Sequence, residues 1–172
     1  SFTSADDLAA YTVNLYGVLT SIGPGSYGMS TFAYDNDTDN QAGTGYSSRW
    51  VPGNWKVGQS GGAWDFGNIR SVNYFLDQVL PKFEAKQISG AEAQVRHYIG
   101  EAYFLRAYLY LDKLQSLGDF PIVLTALPDD KETLVEASKR QPRYKVAQQT
   151  LDDLDKALDL LMESAPGGEN RI

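Results

Sequence analysis

Between Ala102 and Leu111 the sequence reads AYFLRAYLYL, nine apolar or aromatic residues in ten, interrupted by a single arginine. A helix with such a run has almost no polar face, so it must be covered on more than one side, and only several neighbouring elements can do that. The boundaries of the helix are also written in the sequence. Ser89 and Glu92 have the spacing of a capping box, and Gly118 followed by Pro121 ends the segment. Arg106 carries a charge into the apolar run, which is costly unless a carboxylate pairs with it. Glu101, Asp112 and Asp119 are the candidate partners. The expectation is a structural ion pair between Arg106 and Asp119 that braces the Gly-Asp-Phe-Pro turn.

The neighbours this helix needs are other helices. Ser4 and Asp7 are placed as N-cap and third-position acid, and Leu8, Tyr11, Leu15, Val18, Leu19 and Ile22 recur at helical spacing before Gly23-Pro24-Gly25 stops the pattern. A second helix is predicted over 63–80, with Ile69, Val72, Leu76 and Leu80 on one face and Pro81 closing it. After an irregular connection containing Pro121 and Pro128, a last helix is predicted over 142–162. Its apolar stripe is Ala147, Leu151, Leu154, Leu158 and Leu161, with Asp152, Asp153, Asp155, Lys156 and Asp159 on the wet face. The fold class is therefore all-α: antiparallel helices in a tetratricopeptide-like α-solenoid or bundle, carrying long irregular loops. No strict repeat at about 34 residues supports the tetratricopeptide spacing itself.

Residues 23–63 break this pattern, holding nine of the sixteen glycines and two prolines with no sustained hydrophobic period. Irregular excursions longer than about 12–15 residues inside a domain are usually functional or disordered. Tyr27, Phe32, Tyr34, Tyr46, Trp50 and Trp55 argue against plain disorder, which is depleted in aromatics. Trp50, Trp55 and Trp64 lie within fifteen residues of one another, close to Tyr46. Aromatic faces suit the apolar C–H faces of sugar rings, and Arg49 and Asn54 beside them suit hydroxyl groups. Tyr46, Arg49, Trp50, Asn54, Trp55 and Trp64 are thus the candidate ligand-binding residues. The competing reading is that the rings pin a loop to the helices, and Trp64, at the loop–helix junction, fits it best.

Other constellations are weaker. Asp35, Asp37 and Asp39 alternate as at the start of a calcium loop, but Asn40 stands where glycine is needed and Tyr46 where a bidentate glutamate is needed, so turn-forming or solvated acids are favoured. His97 is the single histidine, flanked by Arg96 and Tyr98 on a helix, and fits a surface or packing role better than catalysis. Asn73 fits interhelical hydrogen bonding. No carboxylate pair, phosphate cradle or nucleophile constellation stands out, and nothing calls for a cofactor, so an enzyme is not expected.

Bulk properties narrow the partners. With 15 basic and 22 acidic residues the net charge is −7, which lacks the basic footprint of nucleic-acid binding. Cysteine is absent, which removes disulfides, thiolate metal sites and thiol chemistry. No apolar run is long enough for a transmembrane helix, and Ser1 does not open a signal peptide.

Several blocks together resemble the SusD/RagB family. They are FTSADDLAAYTVNLY at the start, IRSVNYFL from Ile69 to Leu76, and Glu101, Phe104, Leu105, Arg106, Ala107 and Tyr108 followed by Gly118-Asp119-Phe120-Pro121. The series ends with Arg140-Gln-Pro-Arg143 and Leu151-Asp-Asp-Leu154. The resemblance implies a helical scaffold, 1–172, forming the N-terminal part of a longer protein, with the 23–63 loop within it. It also implies binding of oligosaccharide or another nutrient, delivery to a SusC-like TonB-dependent transporter, and cell-surface exposure at the outer membrane. Family members are usually tethered by a lipidated cysteine near the mature N-terminus. The alternative is a helical-repeat interaction module that binds a protein and no glycan.

Overall fold

The computed structural model describes residues 1–19, 52, 61–168 and 171–172. The chain divides into one unit of residues 1–18 and 60–172 and a second of residues 19–59. The described helices lie in the first unit. Its helices are α1 (Ala5–Leu15), α2 (Gly67–Glu84), α3 (Glu92–Leu117), α4 (Lys131–Ala137) and α5 (Arg143–Leu160). Among the described residues there is no strand, only two isolated bridges, Ser4 with Ser89 and Phe120 with Gln141. The fold is all-α, as the periodicity predicts.

The apolar run does place α3 at the centre. Every residue from His97 to Tyr103 is buried, and α3 packs on α1, α2 and, most extensively, α5. The close approach of α5 depends on small residues. A Cβ on Gly100 would lie 3.0 Å from Leu160 Cβ and 3.1 Å from Leu161 Cγ.

Several boundaries differ from the sequence expectation, each for a local reason. In α1, Ser4 Oγ accepts from Asp7 N at 3.2 Å as expected, but Asp7 Oδ2 reaches back to Thr3 N and Thr3 Oγ1. The α-helix gives way at Tyr16 to one 3₁₀ turn, Tyr16–Val18. Ser89 does not cap α3. It pairs its backbone with the N-terminal segment, Ala5 N donating to Ser89 O and Ser89 N to Thr3 O, and the N-cap is Ala91 without a side-chain bond. Gly90 makes the crossing possible: it has φ +113°, and a Cβ there would meet Ala5 Cβ at 2.7 Å. Pro81 does not close α2 but lies inside its last turn. A proline so near the C-terminal end leaves the following residues free to complete the turn. The connection read as wholly irregular contains α4, whose N-cap Asp130 accepts from Thr133 N and Thr133 Oγ1.

The largest correction concerns α5. The buried face is Val146, Thr150, Asp153 and Ala157, one residue out of step with the expected stripe. Leu151 and Leu158 are 55% and 77% exposed, whereas Asp153, read as wet, is fully buried. A one-residue shift rotates the face by about 100°. Two of the four buried side chains, Thr150 and Asp153, are polar, so the apolar spacing by itself marks the wrong face, and tertiary pairing decides which one meets α3. Leu158→Ser is accordingly expected to change stability by less than about 0.5 kcal/mol, as for surface positions, while Val146→Ala costs about 1–3 kcal/mol. Urea unfolding of the two variants checks this, and the reverse order would mean that the helix sits on its other face.

Candidate functional site

The described end of the aromatic-rich segment lands on the C-terminal end of α3. Lys113, buried by its long stem, donates from Nζ to Ala63 O at 2.7 Å and sits over the Phe120 ring. Trp64 stacks on Phe120 with centroids 5.7 Å apart, and Phe66 stacks on it at 4.8 Å. The Arg140 guanidinium covers Trp64 at 4.6 Å. Phe120 itself is fully buried, held by its backbone bridge to Gln141. Trp64 is half-buried in this cluster and anchors the loop's return. Beside the anchor a cavity of about 220 Å³ is walled mostly by apolar residues, among them Phe66, Ile69, Val123, Leu127 and Leu134, with Arg70 and Asp129 as its charged groups.

Arg106 is paired, but not with Asp119. Its Nε and Nη2 make a two-pronged contact with Asp153 at 2.7 and 2.8 Å, and Nη1 donates to Asn73 Oδ1 at 2.9 Å and Leu124 O at 3.3 Å. Both charged side chains are out of water, at 4% and 0% exposure. Asp119 Oδ1 instead accepts from Arg143 N at 2.8 Å. The reason is local: Pro142 occupies the N-cap of α5 and offers no side-chain acceptor, so the first free N–H group of that helix takes a carboxylate from the preceding turn.

Asn73 binds more than a neighbouring helix. It carries the α2–α3 network into the connection after Pro121, donating to Val123 O at 2.8 Å. Tyr110 Oη donates to the same carbonyl and accepts from Val123 N at 2.7 Å, and Asp77 Oδ2 accepts from Ala126 N. An irregular segment without a sheet partner thereby has its backbone groups satisfied by helix side chains.

A family described as SusD-like, starch-binding associating with the outer membrane, matches residues 8–166. The chain belongs to the SusD-like family. No curated protein and no solved structure matches it. The family binds starch or other glycan in association with the outer membrane, and it is a family of binding proteins rather than enzymes.

In this SusD-like chain the remaining site candidates fall as follows. Tyr46, Arg49, Trp50, Asn54 and Trp55 lie outside the described residues, as do Asp35, Asp37 and Asp39. His97 is fully buried and works in packing. Met162 N donates to its Nδ1, which leaves Nε2–H to donate to Glu101 Oε1 at 3.0 Å. Glu101 also takes two bonds from Arg171, Nε to Oε1 and Nη2 to Oε2, while Arg171 Nη2 reaches Thr12 Oγ1 at 2.6 Å. The guanidinium lies over the Tyr98 ring at 4.7 Å. Sequence reasoning missed Asp153 and Arg171. The usable signal for the first was its place in the Val146, Thr150, Asp153, Ala157 series; nothing in the sequence marked the second.

Two tyrosines fastened into these networks tie stability to alkaline pH. Burial pushes the Tyr110 hydroxyl up to about 12, against the opposing bond from Val123 N, and burial likewise pushes Tyr16 up to about 12, against the bond from Ile172 N. A folded-state value above the ordinary 10 means that the native state holds these protons more tightly. Their contribution is therefore complete below about pH 10 and is lost as pH rises through about 12. Denaturant midpoints measured across that window are expected to fall, with Tyr110→Phe flattening the decline.

Proposed function

We propose that this chain captures an oligosaccharide at the cell surface, at the outer membrane, and hands it to a SusC-like TonB-dependent transporter without making or breaking a bond. The observation that supports this most is the SusD-like match across residues 8–166, within which lies a segment dense in aromatic residues. At the described end of that segment Trp64 and Phe66 stack on Phe120. The proposed ligand contacts are Tyr46, Arg49, Trp50, Asn54, Trp55 and Trp64.

Isothermal titration against a panel of oligosaccharides tests this. Binding that weakens about tenfold or more in Trp50→Ala or Trp55→Ala is expected, since each removes a large contact face. Silence toward every glycan would end the proposal.

A second reading, a helical module that binds another protein, draws on one observation: Tyr144, Leu151 and Leu158 recur every seven residues along α5 and are 68%, 55% and 77% exposed. Glycan binding unaffected by the tryptophan variants, together with partner capture lost in Leu151→Lys, would favour it.

A further inference from the structure

A second surface, on the two helices that flank the aromatic segment in the chain, has the makings of a ligand site. On α1, Asp7, Tyr11 and Asn14 follow one another at helical spacing, and on α2, Tyr74, Gln78 and Lys82 do the same. The two rows face one another across an open cleft of about 630 Å³. We propose that this cleft is a subsite for a neutral sugar, with Tyr74 as its platform. This rests on the glycan-binding reading above and adds a place for it on the helical scaffold.

The first argument is the state of Tyr74. Its side chain is 46% exposed, yet its ring is braced by Phe2 at 6.2 Å and Tyr11 at 6.4 Å. Tyr11 is in turn fixed, stacked on Phe75 at 5.3 Å and donating its hydroxyl to Ser71 O at 3.0 Å. An aromatic ring held in position while still open to solvent loses little freedom when a ligand lies on it.

The second argument is the polar equipment. Asn14 Nδ2 is committed to Ala10 O, which leaves its carbonyl oxygen as an acceptor into solvent. Gln78 is exposed and offers a donor and an acceptor together. Asp7 and Lys82 contribute one side-chain charge of each sign. A polyhydroxylated neutral ring, with C–H groups for Tyr74 and hydroxyls for the amides, matches an aromatic cleft with a few convergent polar groups.

The experiment uses the intact chain, isotope-labelled, titrated with maltoheptaose and then with cellohexaose and xylohexaose. The expected result is that a binding glycan moves the side-chain amide signals of Asn14 and Gln78, and that Tyr74→Ala weakens this response about tenfold. Gln78→Ala serves as a second variant on an exposed position. In both variants the response of the tryptophan indole signals should persist. Glycan binding that moves the indoles but leaves Asn14 and Gln78 unmoved would overturn the subsite alone. Failure of every glycan to move any signal would overturn it together with the proposed function.

Discussion

Asp153→Ala is expected to destabilise the chain by about 3–5 kcal/mol, the cost of leaving a buried charge without its partner. Arg106 cannot escape to water: its side chain is 4% exposed, and Asn73 Oδ1 and Leu124 O are dipoles rather than counter-charges. Arg106→Met should cost a comparable amount by stranding Asp153, which is fully buried. The double variant Arg106→Met with Asp153→Leu should recover most of the loss, because apolar groups of similar volume remove both desolvation penalties. Urea unfolding of the four proteins measures this. Single variants within about 0.5 kcal/mol of the parent would contradict a buried pair and point to a solvated contact.

Arg171→Ala should produce the second largest loss, about 3 kcal/mol, by removing the cation from a carboxylate that no water reaches. Glu101 would lose both bonds from the guanidinium, and Thr12 Oγ1 would lose its donor. Combining Arg171→Met with Glu101→Gln should restore part of the stability, since a glutamine carbonyl still accepts from His97 while no net charge stays buried. The same variants report on how residues 171–172 are held. Ile172 N donates to Tyr16 Oη, so faster amide exchange at Ile172 and at Met162 is expected in Arg171→Ala. Unchanged exchange and unchanged midpoints would show that the guanidinium does not fasten this segment.

Both predictions concern residues whose sequence surroundings say little about their partners. Arg106 was legible as a charge in need of a carboxylate, because a helix apolar on every side leaves no route to solvent. The identity of the carboxylate was not legible, since Asp153 is forty-seven positions away and lies outside the apolar stripe that the spacing of its helix marks. Asp119 looked suitable by proximity, but Pro142 at the start of α5 gave it other work. Likewise Ser89 fitted a capping box by spacing and was taken instead by the backbone of Thr3 and Ala5. Of the candidate ligand residues, Trp64 is the one whose surroundings are described, and its ring is engaged by Phe120 and Arg140.

The sequence alone determined that α3 would be central, that its neighbours would be helices, that Gly118 would end it and that Arg106 would be paired. Each follows from local chemistry: period, capping, backbone freedom and the cost of an unpaired charge act within one segment. Only the tertiary structure decided which face of α5 meets α3, which carboxylate satisfies Arg106, and that Tyr74 stands braced yet open between α1 and α2. Those outcomes depend on distances between segments far apart in the chain, where several pairings satisfy the same local rules and the packing of the whole selects among them.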